Sequence, residues 1–159
     1  MKTVDYVERT RELYEPLPAY RWVDNSGEPV PWTPLSRPLA ECRVALAGSG
    51  GVHLQGQQAF HFSDDTSIRE IPADSDSGDL RVSHFGYPVG DARKDPNCVF
   101  PLERLRELAD QGVIAGVAPT AFTFMGGIYS HRRVAEELIP ALLDGLRSQE
   151  VDLFLLVPA

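Results

Sequence analysis

Val151-Asp-Leu-Phe-Leu-Leu-Val-Pro-Ala159 is an almost unbroken apolar run at the end of the chain. Such a run suits a strand of a parallel sheet buried on both faces better than a half-exposed strand, which would alternate. We therefore expect a central strand here. In open α/β sheets chemistry sits in the crevice beyond the carboxyl ends of such strands, which puts the site near Ala159. The expectation is of a domain interrupted at its active edge.

Outward from that strand the pattern alternates. Arg43-Val-Ala-Leu-Ala47 predicts a short buried strand, followed at once by Gly48-Ser-Gly-Gly51. Glycines after a first strand let backbone amides approach an anionic ligand, but a tight turn without a ligand is equally compatible. His53 stands where a dinucleotide fingerprint needs its third glycine, and Ser49 lacks the Gly-x-Ser-x-Gly frame of a nucleophile elbow. Brief strands are expected at Ile68–Ile71 and Leu80–Ser83. Pro101 to Gly112 reads as a helix with Leu102, Leu105, Leu108 and Ala109 on one face and Gly112 as its C-terminal cap. Val113–Pro119 then predicts a strand and Thr120–Gly127 a loop at its carboxyl end. Ser130 is suited to cap a second helix reaching about Arg147, buried through Val134, Leu138, Ala141, Leu142 and Leu146 and kinked at Pro140. The class is α/β: an open, mostly parallel sheet with flanking helices.

A charged amphipathic helix over Val4–Tyr14 opens the chain, and Pro18, Pro29, Pro31, Pro34 and Pro38 follow among Trp22 and Trp32. That density of proline predicts an extended arm laid over the domain or a neighbouring subunit. Residues 1–40 thus form helix and arm, and residues 41–159 an α/β domain, incomplete at its C-terminus.

With 159 residues and 43% hydrophobic content, the chain has the means for a real core. A net charge of -8 excludes the basic surface that nucleic acid or anionic membrane requires. Between Ser63 and Asp79 six acids face Arg69 alone, and they read as a solvated loop, because calcium-loop spacing is absent. No stretch approaches the roughly 18 apolar residues of a membrane span, and the start lacks a signal-peptide core, so a cytoplasmic protein is expected. Cys42 and Cys98 are read as reduced thiols. His53, His61 and His84 lack zinc-ligand spacing, so no metal is expected. His84, at the end of a predicted strand, stands where an acid or base would, though a structural histidine fits the same position.

The ordered series Cys42-Arg-Val-Ala-Leu-Ala-Gly-Ser-Gly-Gly-Val-His53, Arg69-Glu-Ile-Pro72, Asp79-Leu-Arg-Val-Ser-His84, Asp95-Pro-Asn-Cys-Val-Phe-Pro-Leu-Glu-Arg-Leu-Arg-Glu-Leu108 and Phe124-Met-Gly-Gly127 resembles the selenoprotein B subunits of the glycine, sarcosine, betaine and D-proline reductases. The resemblance runs from about Glu41 to Ala159. It implies reductive cleavage of a carbon–nitrogen bond in a small amino-acid-like substrate. The nucleophile would be a selenocysteine or cysteine just beyond the final strand, with a nearby cysteine resolving the intermediate. No such residue is present up to Ala159, so no cofactor is expected in this chain itself.

The resemblance further implies other reductase subunits as partners, one of them bearing a pyruvoyl group, and homo-oligomers are compatible with it. Gly50, Gly51 and His53 would form one wall of a substrate crevice, Phe124, Met125 and Gly126 the facing loop, and His84 a proton donor or orienting group. Two alternatives stay open: an inactive binding or structural subunit on the same scaffold, and a small-molecule enzyme using Cys42 or Cys98.

Overall fold

The computed structural model describes residues 6–16 and 27–159. It divides into two units, residues 1–34 and 35–159. In the first, helix α1 covers Tyr6–Tyr14, and residues 29–34 form neither helix nor strand, with Trp32 exposed. Val4 and Trp22, on which the expectations for the helix start and the arm also rested, lie outside the described residues.

The second unit is built on β1, Arg43–Gly48. Its side chains alternate between two cores. Val44 and Leu46 join one cluster with Val52, Ile71, Phe100, Leu102 and Leu105, while Ala45 and Ala47 join another with Phe122, Leu142 and Leu146. A strand buried on both faces needs two covering layers, and helices supply them: α3, Leu102–Asp110, on one side and α5, Ile139–Arg147, on the other.

Further strands follow in chain order: β2, Val52–Leu54; β3, Arg69–Pro72; β4, Leu80–Val82; β5, Gly116–Val117; β6, Thr120–Thr123; and β7, Leu153–Val157. β1 pairs in parallel with β5 and β6 along one edge and with β7 along the other, and β3 adds antiparallel to β6. β2 and β4 form a separate antiparallel ribbon. The sheet is thus mixed but mostly parallel, as expected for this α/β class.

The final run is a strand, but not a central one. β7 pairs only with β1 among the described residues, and Phe154, Leu155 and Leu156 are 39, 37 and 49% exposed. The centre is β1, whose other edge is already taken by β5 and β6. The predicted loop at Thr120–Gly127 also begins differently, because Thr120–Thr123 is strand β6. The ladder slips at Pro119: Val44 lies opposite Val117, yet Ala47 lies opposite Phe122, two residues out of step. Proline has no N–H for a ladder, so the chain bulges there before resuming its pairing.

The helices follow their sequence signatures. Gly112 ends α3 in the left-handed region with φ of 73°, and the N–H groups of Gly112 and Val113 donate to the carbonyls of Ala109 and Leu108. Ser130 caps α4, His131–Arg133, by accepting from the Arg133 N–H. The chain then widens into a π-turn over Val134–Leu138 before α5. Pro140 offers no N–H to the carbonyl four residues earlier, and the wider turn is the local answer. Leu138, Leu142 and Leu146 are buried as expected, whereas Val134 is only half-buried and Ala141 is exposed, because leucines spaced by four set a face from which Ala141 is turned away. A short polar helix, α2 (Gly90–Lys94), has no counterpart in the sequence expectations.

The acidic loop is partly structural rather than simply solvated. Asp64, at φ of 44°, accepts from the N–H groups of Tyr129 and Ser130, and Asp65 accepts from those of His61 and Ser67. Glu137 accepts from Arg133 and Thr66, and Arg133 holds its carboxyl down to about 2. These bonds tie the loop to the start of the second helix.

Gly145 shows how tightly α5 sits on the sheet. A Cβ there would lie 2.5 Å from Cζ of Phe122, whose ring is itself buried. In an exposed helix Gly→Ala stabilises by about 1 kcal/mol. Here overpacking dominates, and Gly145→Ala is expected to destabilise by about 1–2 kcal/mol in urea unfolding; stabilisation would show that the helix can lift without cost.

Candidate functional site

The carboxyl ends of β1, β6 and β7 meet at the Gly48–Gly51 turn. The Ser49 N–H donates to the Val157 carbonyl, and the Gly51 N–H to that of Phe124, both at 3.0 Å. The Gly126 N–H donates to the Ser49 carbonyl at 2.9 Å. The amides of Ser49 and Gly51 are therefore spent on the sheet. What the turn offers outward is the Ser49 hydroxyl, which accepts from the Ala159 N–H at 2.9 Å and lies 3.4 Å from the Ala159 carbonyl.

Gly51 is required by its surroundings. It stands at φ of 67°, its carbonyl accepts from the Ser83 N–H at 2.9 Å, and a Cβ would lie 2.2 Å from the Ser83 carbonyl oxygen. This close approach lays the end of β4 against the turn. His84, the next residue, is carried to the mouth of the main sheet.

His84 is 9% exposed, and its two ring nitrogens differ. Nδ1 accepts from the Gly86 N–H at 2.9 Å, whereas Nε2 is buried without a hydrogen-bond partner among the described residues. An Nδ1 that accepts carries no proton, so the neutral ring bears its hydrogen on Nε2. Burial holds the imidazole below the ordinary histidine pKa and so favours that neutral form. The Tyr87 ring packs 4.5 Å from the imidazole, and its hydroxyl donates to the Gly50 carbonyl at 3.0 Å. Burial, with Cys98 as a second cause, pushes the Tyr87 pKa up, keeping that donor protonated.

Gly126 brings these parts together. A Cβ on it would lie 2.9 Å from the Ala159 carbonyl oxygen, 3.1 Å from His84 Nε2 and 3.2 Å from the Ser49 carbonyl oxygen. Only a residue without a side chain leaves these groups their present spacing.

Of the residues singled out from sequence, Gly50, Gly51, Gly126 and His84 thus converge. Met125 is 1% exposed and turned into the core, although its backbone bridges to Gly50. Phe124 is half-buried against the cluster of Ala45 and Phe122. His53 faces elsewhere: its Nε2 meets the Ser83 hydroxyl at 3.0 Å, its Nδ1 the Leu54 carbonyl at 3.1 Å, and it lines a separate cleft of about 450 Å³ with Arg81 and Arg93. Cys42 is fully buried at the amino end of β1, its thiol 3.4 Å from the Pro38 carbonyl, while Cys98 is exposed. Ser49, Gly86 and Tyr87 did not stand out in the sequence as site residues. The strand–glycine–serine order flagged the turn but not which of its groups would face outward.

The glycine-rich turn, the histidine-bearing loop and the last strand thus meet at the carboxyl edge of the sheet, the place where open α/β sheets bind ligands. Residues 24–159 match the family described as glycine/sarcosine/betaine reductase selenoprotein B, and the chain belongs to that family. It is 40% identical over 128 residues to the D-proline reductase subunit gamma of Acetoanaerobium sticklandii, covering 80% of this chain and 53% of that protein. It is 31% identical over 98 residues to the sarcosine reductase complex component B subunit beta of Peptoclostridium acidaminophilum, covering 56% of this chain and 22% of that one. The chain thus spans about half the length of the first relative, and less of the second. No solved structure matches it. No helix among the described residues is long and apolar enough to cross a membrane.

Proposed function

We propose that this chain is the substrate-side part of a reductase subunit that cleaves a carbon–nitrogen bond in a small amino acid, D-proline or an N-methyl amino acid such as sarcosine. The observation that carries the reading is the match over residues 24–159, with relatives that are components of D-proline and sarcosine reductases. The redox group is a selenocysteine or cysteine supplied outside these residues, next to the carboxyl end of β7. Cys42 is sealed in the core and cannot fill the role without opening it. A partner subunit carries the pyruvoyl group that activates the amine.

In the proposed cleavage two electrons and two protons reach the substrate. The carbon–nitrogen bond breaks, carbon and nitrogen each gain a hydrogen, and the chalcogen with its resolving thiol closes to a selenenylsulfide or disulfide, which an external dithiol reduces. The residues present shape the crevice, and His84 supplies a hydrogen-bond donor to it.

The test is reconstitution of the chain with the remaining subunits of a D-proline or sarcosine reductase in the presence of dithiothreitol. Consumption of D-proline or sarcosine that disappears when this subunit is omitted is the expected result. An assembled complex that consumes none of D-proline, sarcosine, glycine or betaine would overturn the reading in favour of a non-catalytic subunit.

A further inference from the structure

The unpartnered nitrogen of His84 is the least explained polar atom in this unit. Leaving a buried donor unsatisfied costs roughly 1–3 kcal/mol, and folded proteins keep such atoms sparingly. The surroundings hold the donor in place rather than quench it. The Gly86 N–H fixes the tautomer through Nδ1, and Tyr87 backs the ring while gripping Gly50. A Cβ on Gly86 would lie 3.0 Å from His84 Cε1, so a side chain there would press on the imidazole.

Ser49 lies on the other side of the same point. Its carbonyl, the Ala159 carbonyl and His84 Nε2 all converge on Gly126. Its hydroxyl is engaged by Ala159, an exposed residue, accepting from the Ala159 N–H at 2.9 Å and donating to the Ala159 carbonyl at 3.4 Å. If Ala159 yields this place, two neutral donors become free together: Nε2–H of His84 and Oγ–H of Ser49. Two donors flanking Gly126 suit a ligand that brings two acceptor oxygens to the place Ala159 leaves.

We propose that Ser49 and His84 form a two-donor cradle for the carboxylate of a small amino-acid substrate, with Gly86 and Tyr87 as positioning residues. The proposal rests on the reductase reading for the identity of the substrate, but not for the geometry. It makes His84 a donor through Nε2 alone, so His84 anchors the substrate and does not act as the base.

Nitrogen-15 NMR of the His84 ring in the full chain tests the cradle without any turnover. The expected result is a neutral ring protonated on Nε2 at pH 7, whose Nε2–H resonance shifts on addition of D-proline or acetate and does not shift with pyrrolidine, which lacks the carboxylate. In the assembled complex, Ser49→Ala and His84→Leu are each expected to raise KM for D-proline roughly tenfold with kcat little changed, as for the loss of one bond to a charged acceptor. His84→Gln, which keeps an N–H donor, should recover part of that loss, and it controls for a merely structural role. An Nδ1-protonated ring, or a resonance that D-proline and acetate leave unmoved, overturns the cradle even in a complex that consumes D-proline. A complex that consumes none of the four substrates defeats the reductase reading, and the acetate titration still decides the cradle.

Discussion

Gly51→Ala is expected to destabilise the second unit by about 3–5 kcal/mol, a large share of the 5–15 kcal/mol typical of a domain. Two costs add. A non-glycine residue at φ of 67° pays for the left-handed conformation, on the order of 1 kcal/mol. The new methyl would also stand 2.2 Å from the Ser83 carbonyl oxygen. That oxygen belongs to backbone and cannot swing aside as a side chain would. The turn could escape only by releasing the bond from the Ser83 N–H to the Gly51 carbonyl, which would carry His84 away from Gly126. Urea denaturation followed by circular dichroism reads the loss directly. A change below about 1 kcal/mol would mean that the approach of β4 to the turn is not as close as described. Gly56→Ala is an informative control, because Gly56 also has a positive φ, of 93°, but has open space where a Cβ would go; it should show the conformational cost alone.

Phe100→Ala should cost about 3–5 kcal/mol as well, by a different route. Phe100 is fully buried in the cluster that β1, β2, β3, β4 and α3 share, and its ring would lie 3.1 Å from a Cβ placed on Gly48. Truncation leaves a cavity bordered by sheet backbone, which collapses poorly. Loss of transfer free energy and the cavity therefore add. Phe62→Ala removes an identical ring that is 65% exposed and is expected to change stability by no more than about 0.5 kcal/mol. Thermal and urea unfolding of the two variants side by side would check the pair. Similar losses for both would contradict the burial described here.

Much of this architecture was legible because local chemistry and global packing agree in the relevant stretches. The leucines of α3 repeat with helical period between a leading proline and a closing glycine, and Ser130 caps its helix through the Arg133 N–H. β1 was legible because five buried residues in a row leave few other options. β7 was misjudged because an apolar run reports hydrophobicity and not neighbours. Leu153–Val157 would read the same at the centre of a sheet or at its margin. β6 was hidden because Phe122, Phe124 and two glycines look like a loop until Pro119 is recognised as a break within one line of pairing. α2 was hidden because Gly90-Asp-Ala-Arg-Lys94 has only Ala92 to bury.

The grouping of Gly50, Gly51, Gly126 and His84 at one sheet edge follows from geometry that the sequence does not display. His84 was distinguishable from His53 only through its position at a strand end. The difference between them arises from what the other nitrogen meets: a backbone N–H at Gly86 for one, a serine hydroxyl and a carbonyl for the other. Ser49 could not be read from its neighbours at all. Its role depends on its contact with Ala159, which lies 110 residues away in sequence.

The slip at Pro119 sets the reach of the segment beyond it. Because side chains alternate along a strand, a shift of two residues preserves which of Ala121, Phe122 and Thr123 faces α5 while drawing the chain back by nearly 7 Å. Phe124 and Gly126 consequently fold across the glycine turn instead of overshooting it. An even change in chain length between Val117 and Gly126 would leave the same side chains facing the core while moving Gly126 along the sheet edge relative to His84.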